Sequence, residues 1–267
     1  MKKFPTYFLA HGGGPWPFMT ETKNDIGYQK LASYLENIGK KHENEAKFVV
    51  LISSHFEAKN IVVMTNENPK LNYDYYGFPA NTYNLSWNAK SDKKIAFDII
   101  DLLNDSGITA ISGDNIDYDH ASFIPLMLAF PNPKIPIIQI SINHNLDEQY
   151  HYKLGESLSN LRQLGGLIIG SGMSFHNMNG FFSQKGLEES MKFDSEIEKI
   201  LELPNPERKE KIINWKSLAG ASYSHPRHEH LIPLISIFGA GGEYTGIIDF
   251  KEQILGVELI CVRFGRI

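Results

Sequence analysis

The sequence has very little cysteine. Cys261 is the single example in 267 residues. A disulfide framework within the chain is therefore excluded, and a reducing compartment is expected. Positive charge is not in surplus either: 26 Lys and Arg stand against 31 Asp and Glu, a formal balance of -5. Proteins that hold nucleic acid use a basic face, so none is expected as a partner. No apolar run is long enough to cross a bilayer, and no membrane partner is expected. The opening MKKFPTYFLAHGGG is too short in its apolar part, and too broken by glycine, for a secretory signal. The expected location is cytoplasmic. Several catalytic motifs are also missing. No Walker A pattern occurs. IGSGM (169–173) has isoleucine at the first glycine of a nucleophile elbow, and GSGMSF (170–175) has Phe175 at the third glycine of a dinucleotide fingerprint. Cys261 lies inside the apolar run ELICVRF and reads as a packing residue.

What is present is an alternation of two patterns. Residues 4–10, 46–57, 60–66, 134–142, 166–172 and 257–265 are rich in β-branched residues and mostly do not alternate with polar ones. Such runs suit strands covered on both faces. Between them, residues 23–41, 91–105, 146–162, 186–202 and 230–239 show helical spacing, with Ser91 as the expected N-cap of the second. Strands alternating with helices predict a three-layer α/β domain. The segment 67–90 is long, aromatic and irregular; it is either a functional loop or a surface excursion packed by its own tyrosines.

Histidines mark the ends of these runs. His11 opens the stiff loop HGGGPWP after FLA, His55 follows VVLISS, and His176 follows LIIGSG closely. In open α/β sheets, ligands bind in the crevice outside the carboxyl ends of strands. Glu57 is two residues from His55 and shares its face of the strand, as a ligand or as the partner that fixes the imidazole tautomer. YSHPRHEHLIPL (223–234) adds His225, His228 and His230, the last at the edge of an apolar helical run. YDHASFIPL (118–126) adds Asp119 and His120. Imidazoles suit zinc, iron and copper. A catalytic site takes three protein ligands and leaves positions open. His11, His55 and His230 fill that number, leaving His120 and His176 as acid–base or substrate groups. A zinc hydrolase built on the same three histidines is the alternative chemistry; a non-catalytic metal protein is a third reading.

Taken in order, these motifs resemble the class III extradiol ring-cleavage dioxygenases, in the DODA-like branch related to the LigB catalytic subunit. The matching pieces are FLAHGGGPWPFM (8–19), ISSHFE (52–57), YDYYGFPANTYNLSW (73–87), DHASFIPL (119–126), IPIIQISI (135–142), LIIGSGMSFHNM (167–178) and HPRHEHLIPL (225–234). The resemblance implies one catalytic domain over 1–267, with a three-layer α/β/α fold and a central, mostly parallel or mixed sheet. It implies a non-haem iron(II) at His11, His55 and His230, which zinc can also occupy. It implies His176 as the catalytic histidine, His120 near substrate, and a catechol and O2 as the reactants. The LigB branch uses a glutamate as third ligand, which keeps Glu229 and Glu57 in view. Ala121 and Phe123 stand where the family's DHG-x-W has glycine and tryptophan, and SWNAK (86–90) replaces a YPAPG-like stretch. Tyr73, Tyr75, Tyr76 and Phe78 are expected to wall a planar ring, with Tyr76 and Phe78 as its binding residues.

Overall fold

The computed structural model describes residues 3–266. Among them the strands are β1 (Thr6–Ala10), β2 (Phe48–Ala58), β3 (Ile61–Met64), β4 (Ala110–Gly113), β5 (Ile137–Asn143), β6 (Gly166–Gly172), β7 (Gly246–Ile254) and β8 (Val257–Phe264). The helices are α1 (Ile26–His42), α2 (Lys93–Asp105), α3 (His120–Ala129), α4 (Glu148–Leu158), α5 (Gln184–Glu202), α6 (Asn205–Ile213), α7 (Ala221–Ser224) and α8 (Ile232–Gly241). The strands form one sheet in the order β4-β3-β5-β2-β6-β1-β8-β7. Its centre is parallel (β5-β2-β6-β1), while β3 and β8 pair antiparallel with their inner neighbours. The sheet is therefore mixed.

The lack of polar alternation in the strand runs has a direct cause. Val50, Ile52 and Ile168 enter a core on one face, shared with Ile99 of α2, Leu154 of α4 and Ile235 of α8. Val49, Leu51, Leu167 and Ile169 enter a second core on the other face, shared with Leu35 of α1 and Phe123 of α3. Helices on both faces make three layers. The α4 and α8 backbones meet almost directly: a Cβ at Gly155 would lie 1.8 Å from the Ser236 carbonyl oxygen. Only glycine permits that approach.

Some boundaries differ from the sequence reading. Asp92, not Ser91, caps α2, accepting from Ile95 N–H at 2.9 Å. The 146–162 pattern is α-helical only over α4 and then tightens to a 3-10 turn over Ser159–Leu164. Edge strands β4 and β7 carry no unbroken apolar run, because many of their residues face solvent. Helix α3 also went unnamed. It carries Pro125, which cannot donate to the Ala121 carbonyl one turn back. The Ser171 hydroxyl of β6 donates to that carbonyl instead, tying the helix to the sheet.

His151 in α4 is fully buried and neutral. Its Nε2 accepts from Asn143 N–H at 2.9 Å, and its Nδ1–H donates to the Asp147 carbonyl at 2.7 Å. Burial pushes its pKa down to about 4. A depressed histidine contributes stability that is complete above the unfolded pKa, about 6.5, and is lost as pH falls toward the folded value. The expected loss from this group between pH 7 and pH 5 is about 2 kcal/mol. A His151→Gln protein should lose that much less over the same interval, as read by urea unfolding at the two pH values.

Candidate metal centre

The neighbouring strands β1, β6 and β2 end on the same side of the sheet, and each delivers one histidine. His11 follows Ala10 of β1, and its N–H donates to the Gly172 carbonyl at the end of β6 at 3.1 Å. His55 lies in β2 where pairing with β5 shifts register between Ile52 and Glu57. Irregularities of this kind turn a side chain away from the regular strand direction. His176 lies just past β6, its N–H donating to the Ser224 carbonyl at 2.9 Å. Two more arrive from helix starts. His120 is the first residue of α3, whose N-cap Asp119 accepts from Ser122 N–H. His230 stands in the turn before α8, and its carbonyl accepts from Met173 N–H at 3.1 Å.

The five rings converge. Ring centroids lie 5.2 Å apart for His11 and His55, 5.1 Å for His11 and His230, and 4.9 Å for His55 and His230. His120 lies 4.1 Å from His55, and His176 stacks on His230 at 3.4 Å with planes 18° apart. Nitrogens of His11, His55 and His120 fall within 4.8 Å of one another, as do donor atoms of His176, Glu229 and His230. The two groups meet where His55 Nε2 lies 3.0 Å from His230 Nε2.

Each ring is held from behind. His11 Nδ1 faces the Gly12 carbonyl at 2.9 Å, and His230 Nδ1 faces Glu229 Oε1 at 2.9 Å. Asp74 holds two rings at once: Oδ1 lies 2.9 Å from His120 Nδ1 and Oδ2 lies 3.0 Å from His55 Nδ1. These partners only accept, so in all four rings Nδ1 carries the proton and Nε2 presents a lone pair. His11 Nε2 is buried with no hydrogen-bond partner. His55 Nε2 and His230 Nε2 face each other at 3.0 Å, so a proton or a cation lies between them.

The electrostatics agree. Burial pushes the His11 pKa well down, and so do the neighbouring His230 and His55; burial does the same to His230 against the pull of Glu229. Burial also opposes charging His55, but the Asp74 hydrogen bond and the Asp119 field outweigh it and raise its pKa. Burial alone would raise the Asp74 and Glu229 carboxyls. Hydrogen bonds from His120 and His55 to Asp74, and from His176 and His230 to Glu229, hold both well below the usual carboxylate range. Two fixed carboxylates behind imidazoles whose Nε2 atoms converge fit a divalent cation.

The cavity before these nitrogens has a volume of about 340 Å³. Phe78 and Met173 are on its wall. Gly14 (φ +56°) passes so close to Phe78 that a Cβ would lie 2.4 Å from its ring. Tyr28 of α1 also lines the cavity, and its hydroxyl accepts from Gly13 N–H at 3.1 Å. Burial pushes the Tyr28 pKa up, so the hydroxyl keeps its proton.

Other expected residues are elsewhere. Tyr76, expected on the wall, is 92% exposed and is not part of the lining. Tyr73 and Tyr75 pack within segment 67–90, donating to the Leu85 and Thr82 carbonyls. That segment is thus both a self-packed excursion and the source of Asp74 and Phe78. Glu57 pairs with Arg227 at 2.5 Å, and Glu229 backs His230 and His176. His225 is buried, its Nε2 facing the Ser174 carbonyl, and His228 faces the Leu146 carbonyl. Asp74, Tyr28 and the rim residues Met178, Phe181 and Phe182 were not foreseen as site residues. Requiring an Nδ1 acceptor for each ligand histidine is the rule that would have pointed to a carboxylate such as Asp74.

Residues 5–261 match the family described as the catalytic LigB subunit of aromatic ring-opening dioxygenase. A 4,5-DOPA dioxygenase extradiol of Beta vulgaris is 34% identical over 245 residues, spanning 89% of this chain and 87% of that one. A 4,5-DOPA dioxygenase extradiol-like protein of Schizosaccharomyces pombe is 31% identical over 256 residues, 89% and 84% of the two chains. A crystal structure of an uncharacterized protein from Escherichia coli K12 superimposes with a TM-score of 0.80 at 21% identity, covering 98% of this chain and all of the other, which shows a shared fold. The histidines gathered at the strand ends, and the family match that spans them, place this chain among the LigB-family aromatic ring-opening dioxygenases, as an oxidoreductase of the class III extradiol, DODA-like branch.

Proposed function

We propose that residues 1–267 form a single catalytic domain that opens the ring of a catechol with O2 at a non-haem iron(II) held by His11, His55 and His230. One observation carries this reading: bare Nε2 atoms of separately positioned histidines converge at the floor of an apolar cavity sized for an aromatic ring. Iron(II), when bound, supplies a redox centre with open positions for diol and O2, and it acidifies hydroxyls coordinated to it. Both oxygen atoms enter the ring-opened product and the ring supplies the electrons, so no outside reductant is needed.

The remaining work falls to this chain's residues. His176 reaches the cavity with Nδ1 steadied by Glu229 at 3.3 Å. It accepts a proton from a catechol hydroxyl and returns one as the ring opens. His120, fixed by Asp74, offers its Nε2 lone pair to a substrate hydroxyl. Phe78 and Met173 exclude water from the ring. Zinc fills the same nitrogens readily, because imidazole sites bind it more tightly than iron(II). The buried free thiol of Cys261 accords with a reducing, cytoplasmic setting.

Iron-reconstituted protein given a catechol panel under air should consume oxygen and form a yellow ring-opened product; a hydrolase would consume none. His230→Ala should lose most of its metal while His120→Ala retains it. Full iron occupancy in His230→Ala would shift the third ligand to another residue.

A further inference from the structure

Resting on the catechol reading above, we propose that the substrate carries an uncharged, apolar substituent and that the rim at Met178 and Phe182 binds it. Past the histidines, the cavity is lined by Met19, Phe78, Met173, Phe181, Phe182 and Leu255. Among the described lining residues there is no Lys, Arg, Asp or Glu. The polar groups that remain are mostly engaged. The Thr22 hydroxyl donates to the Met19 and Trp16 carbonyls, and the Tyr28 hydroxyl already accepts from Gly13. An amino-acid or carboxylate side chain on the ring would find no counter-charge here, and charge desolvated without a partner is costly. An alkyl or aryl group would bury against soft Met and Phe surfaces.

The rim itself is a second, independent observation. Met178 is 72% exposed and Phe182 is 79% exposed, side by side with the cavity they line. Phe182 has φ +58°, and Leu255 opposite has φ +57°. Left-handed backbone is costly for such residues and persists only where the surroundings impose it. Here the Phe182 N–H donates to the Leu255 carbonyl at 2.8 Å. Gly256 lies so close that a Cβ would fall 2.6 Å from Phe182 Cα. The turn between β7 and β8 thus holds an apolar side chain outward at the cavity mouth.

The test is anaerobic calorimetry on zinc-loaded protein with 4-butylcatechol, L-DOPA and 3,4-dihydroxyphenylacetate, paired with oxygen uptake by the iron-loaded form. The four carbons of the butyl chain against this surface should make 4-butylcatechol bind at least about tenfold more tightly than either charged catechol. Met178→Lys should reduce the preference for 4-butylcatechol over 3,4-dihydroxyphenylacetate severalfold. Equal or tighter binding of L-DOPA or 3,4-dihydroxyphenylacetate would overturn the proposal, with ring opening itself still scored by oxygen uptake. Preferential 4-butylcatechol binding without oxygen uptake would uphold the rim's selectivity and overturn the ring-opening reading. Absence of binding by all three catechols would overturn both.

Discussion

Asp74→Ala should bind its metal about a hundredfold more weakly than the parent, the upper end for a residue that orients ligands without touching the ion. The magnitude follows from geometry. One carboxylate accepts from His55 Nδ1 through one oxygen, and from His120 Nδ1 and the His120 backbone N–H through the other. Removing it frees two rings in one step. Each can then take the other tautomer, which puts a proton on the His55 nitrogen meant for the metal and on the His120 nitrogen meant for substrate. Asp74→Asn should recover little, since its amide nitrogen would face an Nδ1–H with nothing to accept. Metal content after dialysis against a chelator of known affinity, followed by oxygen uptake at saturating iron, checks both variants. Parent-like metal affinity in Asp74→Ala would remove this residue from the design.

His176→Ala should keep its metal and lose ring opening by roughly a hundredfold to ten-thousandfold, the usual worth of a positioned proton donor and acceptor. The ring lies flat on His230, is steadied by Glu229 and lines the cavity. It can therefore meet a substrate hydroxyl without holding the ion. His176→Gln retains bulk over His230 and should be as slow, which separates proton transfer from packing. Metal loss in both variants would make His176 a ligand.

Much of this centre could be read in the sequence, for a definable reason. His11, His55 and His176 directly follow or lie in strands that are buried on both faces, and such strands announce themselves as unbroken apolar runs. A residue at the end of such a run has its place set by the sheet. His120 and His230 were equally visible because each borders an apolar helix. Asp74, Phe78 and Phe182 lie where no periodicity operates, and their positions depend on contacts distant in the chain: Asp74 with His120, Gly14 with Phe78, Leu255 with Phe182. Tyr76 was misplaced for the same reason: the alternation of aromatics in YDYYGFP gives no direction once the backbone leaves regular structure. Edge strands β4 and β7 were missed because half-exposed strands carry few apolar residues to count.

The order of strands at the centre of the sheet separates two kinds of change open to this protein. β2, β6 and β1 are neighbours, so the main-chain spacing of His11 and His55 is inherited from the ladder. The walls and mouth come from segment 67–90, the stretch after β6 and the β7–β8 turn. Provided Asp74 is kept, those loops can diversify, lengthen or exchange residues to suit a new aromatic compound while His11 and His55 stay in register.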